Sequence, residues 1–172
     1  VVAPETVGTV AAQLAEVRLR LKKVDEALPL LREAWLSYLD NLGPDHPLTA
    51  ARAQTLANVL NKLKLYREAA PVLREVLRIA RIDGDREKVA NAGFDLGVAL
   101  RHAFKKEEGL RLIEEALRYT RESGNMITPH PALPSRATMF ANILVEKGRY
   151  DQAEGLMNEA LEAEKVLFGE HS

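Results

Sequence analysis

Apolar residues along the chain recur three and four positions apart, as in Ala27, Leu30, Leu31 and Ala34 or Leu110, Ile113, Ala116 and Leu117, with polar residues between them. This is the spacing of one face of an α-helix, and period two never fits, so no strand is predicted. The same face is written four times. Leu14-Ala15 recurs as Leu56-Ala57, Leu96-Gly97 and Phe140-Ala141, at successive offsets of 42, 40 and 44 residues. Thirteen after each large residue stands a small one (Ala27, Ala69, Gly109, Ala153), and four later a large one (Leu31, Leu73, Ile113, Met157). Three further on come Ala34, Val76, Ala116 and Ala160. Small residues in register let two helix backbones approach, and large ones fill the gap to the next pair, so the unit is helix, turn, helix.

The pattern predicts first helices over Glu5 to Lys22, Pro47 to Leu63, Asp85 to Ala103 and Ala132 to Lys147. Second helices are expected over Asp25 to Asn41, Tyr66 to Ile82, Glu107 to Glu122 and Tyr150 to Phe168. Pro47 and Pro131 suit first helical positions, where a missing N–H costs nothing. Asp85 is the expected cap of the third hairpin, with Gly84 ending the helix before it. Gly43, Gly124, Gly148 and Gly169 read as helix ends, where glycine tolerates positive φ. Pro29 and Pro71 fall a turn into second helices and should bend them more than break them. Ser123 to Ser135, with three prolines, reads as a longer connection, and Pro134 belongs in or just before the first turn after it.

These columns, with Tyr66 and Tyr150 at the turn, resemble the tetratricopeptide-repeat pattern. The units exceed the usual ~34 residues, and Leu42-Gly43-Pro44-Asp45-His46-Pro47 resembles the linker of kinesin-light-chain repeats, partly echoed in His130-Pro131 and begun again at Phe168-Gly169-Glu170-His171. The resemblance implies an all-α, right-handed α-α superhelix of four hairpins (5–43, 47–83, 85–123 and 132–169). It also implies one array spanning 1–172, cut from a longer chain. First helices would line a concave groove. Carried over copy by copy, the groove set is Glu16 and Arg20; Gln54, Asn58, Asn61 and Lys62; Asn91, Arg101 and His102; and Thr138, Asn142 and Glu146, beside the less polar Ala12, Leu19, Ala51, Phe94, Val98, Ser135 and Val145. Asn58 and Asn142 are equivalent, and an amide that donates and accepts suits an extended peptide backbone. Ala12 and Gln54 stand where a chaperone-tail clamp needs lysine, which argues against that ligand.

Composition narrows the function. With 24 Lys and Arg against 25 Asp and Glu, a net charge of -1 gives no bulk field for nucleic acid. No run approaches the ~18 apolar residues of a membrane span. The absence of cysteine removes disulfides and thiolate sites, and an intracellular, most simply cytoplasmic, location is expected, with organelles left open. His46, His130 and His171 repeat in linkers, which points to a structural hydrogen bond or a packed ring; His102 reads as a solvated residue at a helix end. No zinc spacing occurs, so no metal, cofactor or catalytic residue is assigned. Glu107 to Arg111 and Glu114 to Arg118 are expected helical ion pairs, and Gly93 and Gly97 are expected to serve close helix packing. Trp35 and Tyr38 read as inter-helix packing. The expectation is a non-enzymatic scaffold or adaptor for a protein or peptide. The alternatives are an architectural subunit with an unused groove, or the sensor region of a signalling protein. Val166, Leu167 and Phe168 leave an apolar C-terminal face for further repeats, a partner or self-association.

Overall fold

The computed structural model describes residues 4–103, 105–124 and 127–169, with side chains from Gly8 onward. Eight helices follow one another: α1 Pro4–Arg20, α2 Val24–Leu42, α3 Pro47–Lys62, α4 Tyr66–Asp83, α5 Arg86–His102, α6 Lys106–Ser123, α7 Leu133–Glu146 and α8 Tyr150–Phe168. No strand occurs among the described residues. Every bound lies within two residues of its expected position, because the apolar period and the punctuation agree.

Each pair packs through the small residues of the repeat. Ala15 and Ala27, Ala57 and Ala69, and Ala141 and Ala153 are buried where their helices cross. The third hairpin is tighter still. A Cβ built on Gly97 would stand 2.7 Å from the Gly109 carbonyl oxygen, and one on Gly109 would stand 2.5 Å from that of Gly97. Gly93 behaves differently from expectation: nothing lies within 4 Å of where its Cβ would be, so close packing explains Gly97 and leaves Gly93 unexplained. The large residues fill the spaces between hairpins, with Leu56, Leu73, Leu96 and Ile113 nearly inaccessible. Each such side chain contributes about 1.5–3 kcal/mol. Leu14, the first of its column, is 40% exposed, and with Val10, Val17 and Leu21, which follows the end of the helix, it forms an exposed apolar stripe along α1.

The connections carry local hydrogen bonds. His46 caps α3, its Nδ1 accepting from the Leu48 N–H at 3.2 Å, and His130 Nδ1 accepts from the Ala132 N–H at 3.1 Å. Two of the three linker histidines are therefore structural; His171 lies outside the described residues. Asp85 caps α5, accepting from the Glu87 and Lys88 N–H groups at 3.0 and 3.1 Å. These bonds, led by the one from Lys88, hold its carboxyl below the usual range. Pro131 does not begin a helix. It occupies a turn closed by the Leu133 N–H on the His130 carbonyl, and α7 starts at Leu133 with Pro134 in its first turn. Gly43, Gly84, Gly148 and Gly169 have positive φ, but Gly124 is extended at φ −116° and needs no glycine freedom. The hairpin turns use a left-handed residue eight after the repeat's large residue: Lys22 at φ 59°, Lys64 at 60° and Gly148 at 71°. Neither Pro29 nor Pro71 breaks its helix.

Two layers follow from the links between hairpins. First helices meet through Gln54 and Asp95 (α3 to α5) and Arg136 and Asn91 (α7 to α5). Second helices meet through Arg32 and Glu68 (α2 to α4), the equivalent Arg74 and Glu108 (α4 to α6) and Arg121 and Glu159 (α6 to α8). The position of Arg32 and Arg74 is Glu114 in the third hairpin, so that rung is missing before the fourth. The core divides nearby, within the third hairpin. One buried cluster runs from Ala15 to Leu100, and a second joins Leu117 to α7 and α8.

Candidate functional site

The face built by α1, α3, α5 and α7 is a network of polar side chains that largely engage one another. On α3, Gln54 is half-buried, and its Nε2 donates to Asn58 Oδ1 at 2.8 Å and across to Asp95 Oδ2 on α5 at 3.2 Å. Burial raises the Asp95 carboxyl above its ordinary value, opposed by the Gln54 bond and the field of Arg136. Arg136, from α7, is 3% exposed. It donates to the Ala116 carbonyl at 3.2 Å and to Asn91 Oδ1, and its guanidinium lies 5.5 Å from the centre of the Phe94 ring. Burial pushes its pKa below the usual arginine value, with Asp95 and Glu87 opposing. A buried charge survives only when paired and hydrogen-bonded, so this side chain pins the fourth hairpin to the third.

Farther along the same face, Arg101 on α5 pairs with Glu146 on α7, and the bond holds the Glu146 carboxyl below the usual range. His102 stacks on Tyr66 with ring centroids 4.3 Å apart and 15° between planes. It is therefore not a freely solvated histidine. Burial first, then the neighbouring Arg101 charge, depresses its pKa, and these outweigh the opposing pull of Glu146. Glu16 and Arg20 pair with each other at 2.7 Å on α1. Asn58, Lys62 and Asn142 are exposed, and Lys62 and Asn142 make no side-chain hydrogen bond or ion pair among the described residues. Thr138 and Asn61 are half-buried, and Asn61 Oδ1 is a buried acceptor with no hydrogen-bond partner among the described residues. The structure thus brings Gln54, Asn58 and Asn91 into one network through Asp95 and Arg136, and Arg101, His102 and Glu146 into another. Glu16 and Arg20 stand apart from both.

The profile of the tetratricopeptide repeat matches residues 6–82, which are the first two hairpins. Residues 6–82 thus carry the tetratricopeptide repeat. Its fold is similar to that of BtubC (BKLC) from P. vanneervenii, with TM-score 0.80 and 21% identity over 98% of this chain and 67% of that one. It is also similar to the kinesin light chain TPR-like repeats of P. anserina, at TM-score 0.77 and 18% identity over 93% and 76%. Aspartyl phosphate phosphatase F from Bacillus subtilis shares the fold at TM-score 0.73 and 15% identity, over 97% of this chain and 42% of its own. Among curated proteins, none matches the sequence.

Asp95 and Arg136 are not among the site residues expected from the sequence, and both lie outside the matched repeats. Arg136 did leave a sequence signal: it stands four before Phe140, as Arg52 stands four before Leu56. Both arginines lie over an aromatic ring of the preceding hairpin, Arg52 at 5.1 Å from the centre of Tyr38. Tyr38 is itself buried and bonded to Thr9, and Trp35 packs on the core, so both serve inter-helix packing. The expected pairs Glu107 to Arg111 and Glu114 to Arg118 do not form among the described residues. Glu107 instead meets Lys147 at 3.3 Å and Arg118 meets Glu122 at 3.8 Å. No cluster of three metal-ligating side chains occurs among the described residues, and no helix there is long and apolar enough to cross a membrane.

Proposed function

We propose that the chain is a non-enzymatic interaction module that holds an extended segment of a partner protein along α3, α5 and α7. The observation that carries this reading is the set of exposed groups beside a pre-ordered network: the Asn142 amide, the Lys62 ammonium and the NH2 of Asn58, whose Oδ1 already accepts from Gln54. Their neighbours are already fixed by the Gln54, Asp95 and Arg101 links. A rigid face with a few free donors and acceptors loses little entropy on binding and reads a peptide backbone without demanding one sequence. Arg20 and Glu16, paired on α1 and outside both networks, would contribute at most at the rim.

The test is a peptide-array screen followed by affinity measurement for its best peptide, with Asn142→Ala and Lys62→Glu compared with the parent. Loss of about tenfold or more is expected for one or both, the size of a moderate interface hot spot. Unchanged affinity in both variants overturns the assignment to this face. A second reading, an architectural subunit joined through its ends, is favoured by one observation: exposed Val10, Leu14 and Val17 on α1, Leu21 just after it, and Leu161, Val166 and Phe168 on α8. Oligomeric state or co-purified partners changed by Val17→Asp, with the peptide affinity retained, would support it.

A further inference from the structure

Two cavities of about 690 and 260 Å³ meet on the other layer of the array, between α4 and α6, where they share Leu77, Arg81, Leu112 and Glu115. Together they fall in the range of about 300–1,000 Å³ common for ligand sites. The floor is apolar, with Leu77 and Leu96 buried and Ile82 exposed at the rim. The walls carry six arginines, Arg74, Arg78, Arg81, Arg86, Arg111 and Arg118, against only Glu108 and Glu115. Four of the six are engaged: Arg74 with Glu108, Arg78 with Asp45 and Glu75, and Arg86 and Arg118 with Glu122. Arg81 and Arg111 make no ion pair among the described residues, and both are exposed.

Two independent features keep this trench open. The first is Gly93, in the middle of α5 and lining the smaller cavity. A glycine inside a helix costs about 1 kcal/mol against alanine. Gly97 has backbone contact to explain it, but Gly93 has neither a close neighbour nor a positive φ. What its missing side chain provides is the hollow itself. The second feature is a missing bridge. Arg81 and Glu115 are the repeat equivalents of Arg121 and Glu159, which close the back between α6 and α8 at 2.7 Å. Between α4 and α6 the equivalent pair stays apart, with both side chains facing the trench.

We propose that this trench is a second binding site, distinct from the face of α3, α5 and α7, and that its occupant is an acidic peptide segment of a partner with one aliphatic side chain. Carboxylates of the segment meet Arg81 and Arg111, where a planar guanidinium accepts them in a two-bond fork. The aliphatic side chain enters the hollow beside Gly93. From Arg74 to Arg81 the wall runs about 10 Å along α4, the reach of three or four extended residues. Glu115 is the one unpaired carboxylate facing the segment, so it opposes binding.

The experiment uses fluorescein-labelled Asp-Glu-Leu-Glu-Asp as probe, with Asp-Glu-Ser-Glu-Asp and Lys-Lys-Leu-Lys-Lys for comparison, read by fluorescence anisotropy at low salt. The acidic leucine peptide is expected to bind saturably and the basic one not at all. Arg81→Glu and Arg111→Glu should each weaken binding about tenfold or more, and Glu115→Gln should tighten it. The serine peptide should bind several-fold more weakly to the parent, and Gly93→Leu, which fills the hollow, should abolish that preference. Lys62→Glu should leave binding unchanged, which separates this site from the other face. If a charge reversal lowers helicity, Arg81→Gln and Arg111→Gln replace it and should give the same ordering at smaller size. Absence of saturable binding, unchanged affinity in both arginine variants, or loss confined to Lys62→Glu overturns the proposal.

Discussion

Gly93→Ala and Gly97→Ala add the same atom to the same helix one turn apart, and they should move stability in opposite directions. At Gly97 the new Cβ would meet the Gly109 carbonyl oxygen at 2.7 Å, Ile113 Cγ1 at 2.8 Å and the Ile113 nitrogen at 3.1 Å. Comfortable carbon contacts lie near 3.5–4.0 Å, so α5 and α6 must separate by roughly 0.7 Å or more. Two of the three obstacles are backbone atoms of α6, which cannot turn aside as a flexible side chain would. Overpacking of this kind costs about 1–3 kcal/mol, and alanine's better helix propensity returns about 0.5–1 kcal/mol of it. At Gly93 only the propensity gain remains, since the space is open. The propensity gain is common to both, so the two variants should differ by the overpacking cost, about 1–3 kcal/mol. For a chain of this size roughly 2–4 °C of Tm accompanies each kcal/mol, which places Gly93→Ala above the parent and Gly97→Ala below it. Thermal melts followed by circular dichroism at 222 nm give the order. Hydrogen exchange on α5 and α6 gives the local value, which matters because repeat arrays need not unfold in one step. A Gly97→Ala variant as stable as the parent, or a Gly93→Ala variant below it, would refute the packing account of the third hairpin.

Lys64→Gly should raise Tm, because a left-handed lysine at φ 60° carries strain of about 1 kcal/mol that glycine lacks; a lower Tm would contradict it. Asp95→Asn should stabilise the protein at pH 7 and lose that advantage in acid. The native carboxyl is raised by burial, so its unfavourable charge is absent below the unfolded pKa and appears as pH rises through the native one. Equal stability gains at both pH values would argue against it. Arg136→Met should speed amide exchange in α7 and α8 while leaving α1 to α4 nearly unchanged, since the guanidinium bonds α7 to the third hairpin. Uniform acceleration along the chain would mean that the arginine is not a local pin.

The helices were legible because each one's apolar face is written locally, at spacings that a single turn fixes. The small residues Ala15, Ala27, Ala57 and Ala69 could be read in the same way, as could the capping role of Asp85, whose partners lie within three residues. Charge pairing was not legible. Glu107 has Arg111 one turn away on its own helix, yet it meets Lys147 forty residues on, because the superhelix brings α7 alongside α6. Asn91 and Arg101 were identified as groove positions, but their partners Arg136 and Glu146 follow only from the angle between hairpins. Gly93 and Gly97 look alike in sequence, and only the placement of α6 distinguishes a packing glycine from one beside a hollow.

The division of the core within the third hairpin has a mechanical consequence. A chain of equal joints stretched from its ends would yield anywhere, but this one has a seam at α6 and α7, where the equivalent of the Arg32 and Arg74 rung is lost and the links left are the buried Arg136 guanidinium, the ion pairs of Arg101, Arg121 and Lys147, and the smaller core cluster that starts at Leu117. Under tension the fourth hairpin should peel first, as a unit. Residues 133–168, drawn out at about 3.3–3.6 Å each, would then release roughly 120 Å of length while the first three hairpins stay wound.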